Sequence, residues 1–417
     1  MFPLAKIKER KIEDYRQFIP EEEISLLKKL ADEVSDLKVY HLNAVSEGGG
    51  VAEILKGLVP LMKGLEIDTR WYTLPPEEKF FKITKNLYNS LQGKEFKISQ
   101  EEKEYYKKYL KKIAPHFKKL NPDLWIIHDS QPLGLIKYVP KKKKTIARIH
   151  MDTSEPNSES WNFISQYLEK YDRIIFSSED FIKRGTNREK IVIIPPAIDP
   201  LNPKNRAMDK DKAKKIVSRF GINIKKPLIT QISRFDYWKD PRGVLKAFWL
   251  AKKEIPDLQL ALVGFIIAKD DPHASKIYRE IKEETEGKKD IFVFGDLKIL
   301  KNLEVKDFVN AFQTISNIII QKSIKEGFGL TVTEAMWKEK TVIGGNVGGI
   351  KKQIVNGKNG FLVSSPEETA ERIIQLFKEP SLIRSMGNQA KETVTEKFLI
   401  TRLLEDYLKL IIKTVKK

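Results

Sequence analysis

Two cations follow a short apolar run near residue 230. Arg234 and Lys239 stand in ISRFDYWKDPRG, just ahead of a helical pattern. A guanidinium offers a planar fork of donors and an ammonium a compact point charge, so the pair suits a diphosphate. Among 76 Lys and Arg residues two cations mean little; their place at a strand end gives them meaning. A second stretch, KEGFGLTVTEAMW, carries Glu326, Gly327, Phe328 and Gly329 after the apolar run NIIIQ. A helix is expected to begin near Leu330, and the free N–H groups at its start could bind phosphate. Glu334 lies one E-x7-E interval beyond Glu326, a spacing that a Glu-rich chain also produces by chance. A third stretch, SEGGGVAEIL, sets Gly48, Gly49 and Gly50 between a strand and a helix, where a ligand approaches the backbone closely. The plainer reading of those glycines is a tight turn. They do not form G-x-G-x-x-G, which counts against a nicotinamide or flavin oxidoreductase.

The elements that must hold these residues come in two series. Short β-rich runs at 38–45, 67–74, 124–128, 145–150, 173–177 and 191–195 alternate with helical stretches. A second series follows at 227–233, 258–263, 291–294, 317–321, 341–344 and 360–363. Strands alternating with helices predict parallel sheets with crossover helices. Such sheets bind ligands beyond the carboxyl ends of their strands, where all three stretches fall. The stretch 195–226 breaks the rhythm and reads as the interdomain connection. A length of 417 residues also favours two domains over one core.

Taken together, these motifs resemble the retaining glycosyltransferases of family 4. The resemblance covers nearly the whole chain and keeps the family's order: the GGG loop, the SR-x4-K segment, the EGFGL–TEAM segment, then NGFLV, PEETAERI and MGNQA. Within that family, HLNAVSEGGGVAEIL, HDSQPLGL and RIHMDTSEPN look most like the glycosyl-transferring trehalose synthases. The resemblance implies the GT-B fold, α/β, with two Rossmann-like doubly wound domains facing each other across a cleft. It implies an N-terminal extension over 1–36, an acceptor-side domain over 37–215, a nucleotide-sugar domain over 216–390, and a C-terminal helix over 391–417 packing back on the first domain. Arg234 and Lys239 then match the diphosphate clamp, Glu334 the residue that bonds the ribose, and Glu326 the glutamate beside the transferred sugar. The amides of Gly327, Phe328, Gly329, Leu330 and Thr331 match those that hold sugar and phosphate. Gly48, Gly49 and Gly50 match the loop near phosphate and acceptor. His150 matches a histidine that reaches the donor sugar; at a strand end, a structural histidine is its bland alternative. Glu47, Asp129, Asp152 and residues near Trp161 are candidates for acceptor hydroxyls.

The activity so implied makes trehalose from a nucleoside-diphosphate glucose, with UDP, ADP or GDP as carrier, and glucose. No cofactor is expected to be required, although Mg2+ accompanies nucleotides readily; a homodimer is left open. Family members with another sugar, a glucan or a lipid acceptor stay open, the lipid reading because the tail KLIIKTVKK is basic and amphipathic. A net charge of +19 raises a nucleic-acid-binding reading, but the lysines are mixed with glutamates over helix faces and no nucleic-acid motif accompanies them. Abundant Lys and Glu with no cysteine fit a thermophile and exclude disulfides and thiolate metal sites. Asp209 and Asp211 resemble a metal-binding D-x-D only formally, within a charged helix. No apolar run spans a bilayer and the first residues are charged throughout, so a cytoplasmic enzyme without membrane insertion is expected.

Overall fold

A computed structural model describes residues 1–265 and 272–416. The chain divides into two compact units, Met1–Pro196 with Ile400–Lys417, and Ala197–Leu399.

Unit 1 is built on six parallel strands: β1 Lys38–Asn43, β2 Asp68–Thr73, β3 Leu124–His128, β4 Lys144–Ile149, β5 Arg173–Phe176 and β6 Ile191–Ile193. Their order is β2-β1-β3-β4-β5-β6. Sequences such as LWIIH and RIIF are β-branched and aromatic without alternation, as expected for strands covered on both faces. The order reverses between β1 and β3, and that switch point is where the ends of neighbouring strands leave a crevice. Residues 1–36 are an integral part of this unit. The Ala5 amide donates to the Trp71 carbonyl at 2.9 Å and the Thr73 amide to the Pro3 carbonyl at 2.9 Å, extending the sheet antiparallel beyond β2. The helix Glu21–Asp32 buries Ile24, Leu27 and Leu30.

The helix Ile400–Val415 also belongs to unit 1, packing on Glu21–Asp32 and on the helix Gly50–Gly64. Its buried residues Ile400, Leu403, Leu404, Tyr407, Leu408 and Ile411 recur at the i, i+3, i+4 spacing of one face. The apolar face of the basic tail is therefore spent inside the protein, which removes the feature that kept a lipid acceptor in view. No helix among the described residues is long and apolar enough to cross a membrane.

Unit 2 contains β7 Leu228–Ile232, β8 Gln259–Val263, β9 Ile291–Phe294, β10 Ile318–Gln321, β11 Thr341–Gly345 and β12 Phe361–Val363, all parallel. The order β12-β11-β10-β7-β8-β9 is the Rossmann order, with its switch point between β7 and β10. The division at 196/197 and 399/400 differs from the sequence-based boundaries at 215/216 and 390/391. The cause is packing: the Asn310 side chain donates to the carbonyls of Pro203 and Arg206, both at 2.9 Å, and the helix Lys210–Ser218 packs on Val305–Ile315. The connecting stretch is thus tied into the second core.

Candidate functional site

The carboxyl end of β7 runs directly into the two cations. Asp236 organises them. Its carboxylate takes the Arg234 guanidinium at 3.0 Å on one oxygen and the Lys239 amide at 3.1 Å on the other. The Arg234 side chain is 69% exposed, whereas Lys239 is largely covered and ion-paired with Glu326. Glu326 leaves the neighbouring strand β10 across the switch point and also accepts from the Ser323 hydroxyl at 3.2 Å. Asp240, the residue after Lys239, adopts a left-handed backbone (φ 47°), caps the helix Pro241–Lys252 through the Gly243 amide, and pairs with buried Lys322. Two cations following β7 and a carboxylate following β10 therefore meet at one place.

The loop after β10 turns through Gly329 (φ 88°) into the helix Leu330–Trp337, as the sequence indicated. Close packing holds its shape. A Cβ on Gly348 would lie 1.8 Å from the Glu326 carbonyl oxygen, and one on Gly349 would lie 2.4 Å from the Phe328 Cα. Buried Gln353 donates to the Phe328 carbonyl at 2.6 Å and accepts from the Thr333 hydroxyl at 2.6 Å, pinning loop to helix. Glu334 is 2% exposed and bonded to Lys204 at 2.6 Å, so its charge is compensated within unit 2.

In unit 1, Gly48 (φ 74°) has a backbone that side chains avoid, and Gly49 and Gly50 open the helix Gly50–Gly64. Exposed Glu47 pairs with Lys56 at 2.5 Å. His150 follows β4, and its amide donates to Asp129 at 2.8 Å. Asp129 is buried with φ 60°, and burial pushes its carboxyl up to about 7. Asp152 accepts from the Ser154 amide and hydroxyl at 2.9 and 2.7 Å. Trp161 is buried beneath the Lys183 ammonium. Asp209 and Asp211 are not set for a metal: the first caps the helix Lys210–Ser218 through the Lys212 amide, and the second pairs with Lys214 at 2.9 Å.

Residues 41–183 match the family described as trehalose synthase, N-terminal domain, and residues 212–393 match glycosyl transferases group 1. The chain is 43% identical over 410 residues to the trehalose synthase of Thermococcus litoralis, covering 96% of this chain and 97% of that one. It is 38% identical over 405 residues to the trehalose synthase of Rubrobacter xylanophilus, with 96% of each covered. The chain belongs to the trehalose synthase family of glycosyltransferases. Its GT-B fold is shared with the E. coli protein solved with UDP-2-fluoro glucose (TM-score 0.72, 12% identity, 90% and 99% of the two chains covered). It is also shared with Anabaena HepE solved with UDP and glucose (TM-score 0.66, 16% identity, 90% and 99% covered).

For this member of the trehalose synthase family, the sequence motifs pick out the candidate residues but miss the ones that hold them in place. Asp236 stands between Arg234 and Lys239, and in a chain with 57 Asp and Glu residues nothing in its sequence setting marks it out. Lys204 lies far in sequence from Glu334, and Lys322 and Gln353 carry no motif. Two further histidines, His41 and His128, stand beside His150. They lie in HLNAVSEGGG and HDSQPLGL, but only the pairing of β1, β3 and β4 brings them together.

Proposed function

We propose that this enzyme transfers glucose from a nucleoside diphosphate to free glucose in the cytoplasm, forming α,α-1,1-linked trehalose with retention. The observation that carries the reading is the constellation of Arg234, Lys239 and Glu326 at the β7/β10 switch point of a chain 43% identical to a trehalose synthase over almost its full length. In the proposed reaction the bond between the sugar C1 and the diphosphate oxygen breaks while a bond from the acceptor oxygen forms on the same face. The acceptor proton passes to the departing phosphate oxygen. Negative charge grows on the diphosphate as C1 becomes oxocarbenium-like. Arg234, Lys239 and the amides of Gly327 through Thr331 would stabilise that growing charge, which lowers the barrier rather than merely binding the donor.

Glu326, held by Lys239 and Ser323, would orient the transferred sugar, and Glu334 would bind the ribose by exchanging part of its contact with Lys204. Gly48, Gly49 and Gly50 would lie near phosphate and acceptor, with Glu47 and Asp152 as acceptor contacts. Asp129 instead supports the His150 main chain. The proposal requires no metal, with Mg2+ only accompanying the nucleotide. The test is incubation with UDP-, ADP- or GDP-glucose and glucose. The product should be a non-reducing disaccharide whose two anomeric centres are both α by proton NMR. A reducing disaccharide, an α,β linkage, or no transfer to glucose overturns it.

A further inference from the structure

Three of the five histidines form a single file through unit 1. His41 lies in β1, His128 ends β3 and His150 follows β4, on three strands that are neighbours in the sheet. The rings are stacked, with centroids 5.4 and 5.3 Å apart and planes inclined by 24° and 20°. His41 Nδ1 meets His128 Nε2 at 3.1 Å, and His128 Nδ1 meets His150 Nε2 at 3.0 Å. The inner end is closed: His41 Nε2 is buried and has no hydrogen-bond partner among the described residues, and its ring packs against Tyr407. At the outer end His150 is half-buried, with Nδ1 directed away from the file.

The file holds neutral rings. Burial pushes all three imidazoles below their usual range, and the buried Arg148 guanidinium does the same to His128 and His150. Arg148 is fixed there by the Ile194 carbonyl at 2.7 Å and the Ser177 hydroxyl at 3.3 Å. The Asp129 carboxyl accepts from the His150 amide, and Asp129 and Asp406 are acidic groups that act on Arg148. A neutral imidazole has one N–H and one lone pair, so each contact needs a donor from one ring and an acceptor on the next. Two arrangements satisfy both contacts: every proton on Nδ1, or every proton on Nε2. The second buries an N–H of His41 with nothing to receive it. The first leaves only an unused lone pair there, and orphaned buried donors are the rarer and costlier defect.

We propose that His41 and His128 are positioning residues that lock His150 as the Nδ1–H tautomer, so that its open nitrogen is a hydrogen-bond donor to a hydroxyl of the transferred sugar. The identity of that hydroxyl rests on the glycosyl-transfer reading above; the tautomer does not. In the Nδ1–H form the ring donates to a sugar oxygen and offers no acceptor outward, which sets the direction in which that hydroxyl must turn.

The test is long-range 15N–1H correlation of the histidine rings in the full chain at neutral pH. All three rings should carry hydrogen on Nδ1 and a bare Nε2. A proton on Nε2 of His150, or a doubly protonated ring in the file, overturns the proposal. His128→Phe keeps a flat ring in the stack but removes both nitrogens. In that variant His150 should lose its single tautomer, and turnover should fall about fivefold, the worth of one neutral hydrogen bond, with a smaller change in donor KM. A folded His128→Phe protein whose His150 remains purely Nδ1–H overturns the lock. If that variant does not fold, the wild-type ring spectrum alone decides. The expected wild-type tautomers in a protein that transfers no sugar support the lock and refute the functional reading, so the two failures are separable.

Discussion

Lys239→Met separates what the Lys239–Glu326 pair does for stability from what it does for chemistry. Lys239 and Glu326 are only 17% and 10% exposed, so removing the ammonium strands a nearly covered carboxylate. Breaking a fully buried pair from one side costs about 3–5 kcal/mol. Here Glu326 keeps the Ser323 hydroxyl at 3.2 Å and some contact with water, so about 2 kcal/mol is expected. Adding Glu326→Gln removes the stranded charge and should return most of that loss. Activity should not follow: with one cation of the proposed diphosphate clamp gone, turnover should fall about 100-fold in the single variant and not recover in the double. Urea unfolding of wild type, both single variants and the double variant gives the coupling energy, and transfer assays on the same four proteins give the rates. Stability changes that add within about 0.5 kcal/mol would show that the two residues do not support each other. Wild-type turnover in Lys239→Met would refute its place at the diphosphate.

Arg234→Ala should leave stability nearly unchanged, because the guanidinium is largely exposed, while lowering turnover about 100-fold; equal rates in the two proteins would remove it from the clamp. Glu334→Ala should raise donor KM more than it lowers kcat, and unchanged donor affinity in a folded variant would remove it from the ribose site. Activity should survive EDTA at least in part, and complete loss restored by Mg2+ would contradict the metal-free reading. Acid should destabilise unit 1: the file histidines titrate below the ordinary 6.5 when folded, His41 at about 3, so unfolding takes up protons as pH falls below about 6.5. Asp129 works the other way, since its carboxyl is raised to about 7 and holds its proton in the fold, so its contribution is lost as pH rises toward 7. Asp129→Asn should therefore steepen the acid dependence measured by unfolding at a series of pH values, and an unchanged slope would argue against a neutral buried carboxyl.

Twelve strands were legible because each is a short β-branched or aromatic run between turn residues, and parallel strands buried on both faces need no finer pattern. The start of the helix Leu330–Trp337 was legible because glycines end the preceding loop. The unit boundary was not, because residues 197–209 belong to no strand and no helix; their allegiance is decided by Asn310, more than a hundred residues away. The same holds for the site. Arg234, Lys239 and Glu326 announce themselves by motif and position, whereas Lys204, Lys322 and His41 act through strand order and packing, which a linear pattern does not encode.

The return of the helix Ile400–Val415 to unit 1 has a consequence for how the protein is made. A ribosome completes the six strands of unit 1 early, then the whole of unit 2, and only afterwards delivers the helix that packs on Glu21–Asp32 and Gly50–Gly64. Until then Tyr407 is missing from above His41, and the faces of Glu21–Asp32 and Gly50–Gly64 that this helix covers lie open. Unit 2, continuous from Ala197 to Leu399, has all its parts first and is free to finish folding while its predecessor waits. Folding therefore runs out of chain order, with those faces of unit 1 open until residues 400–415 have been made.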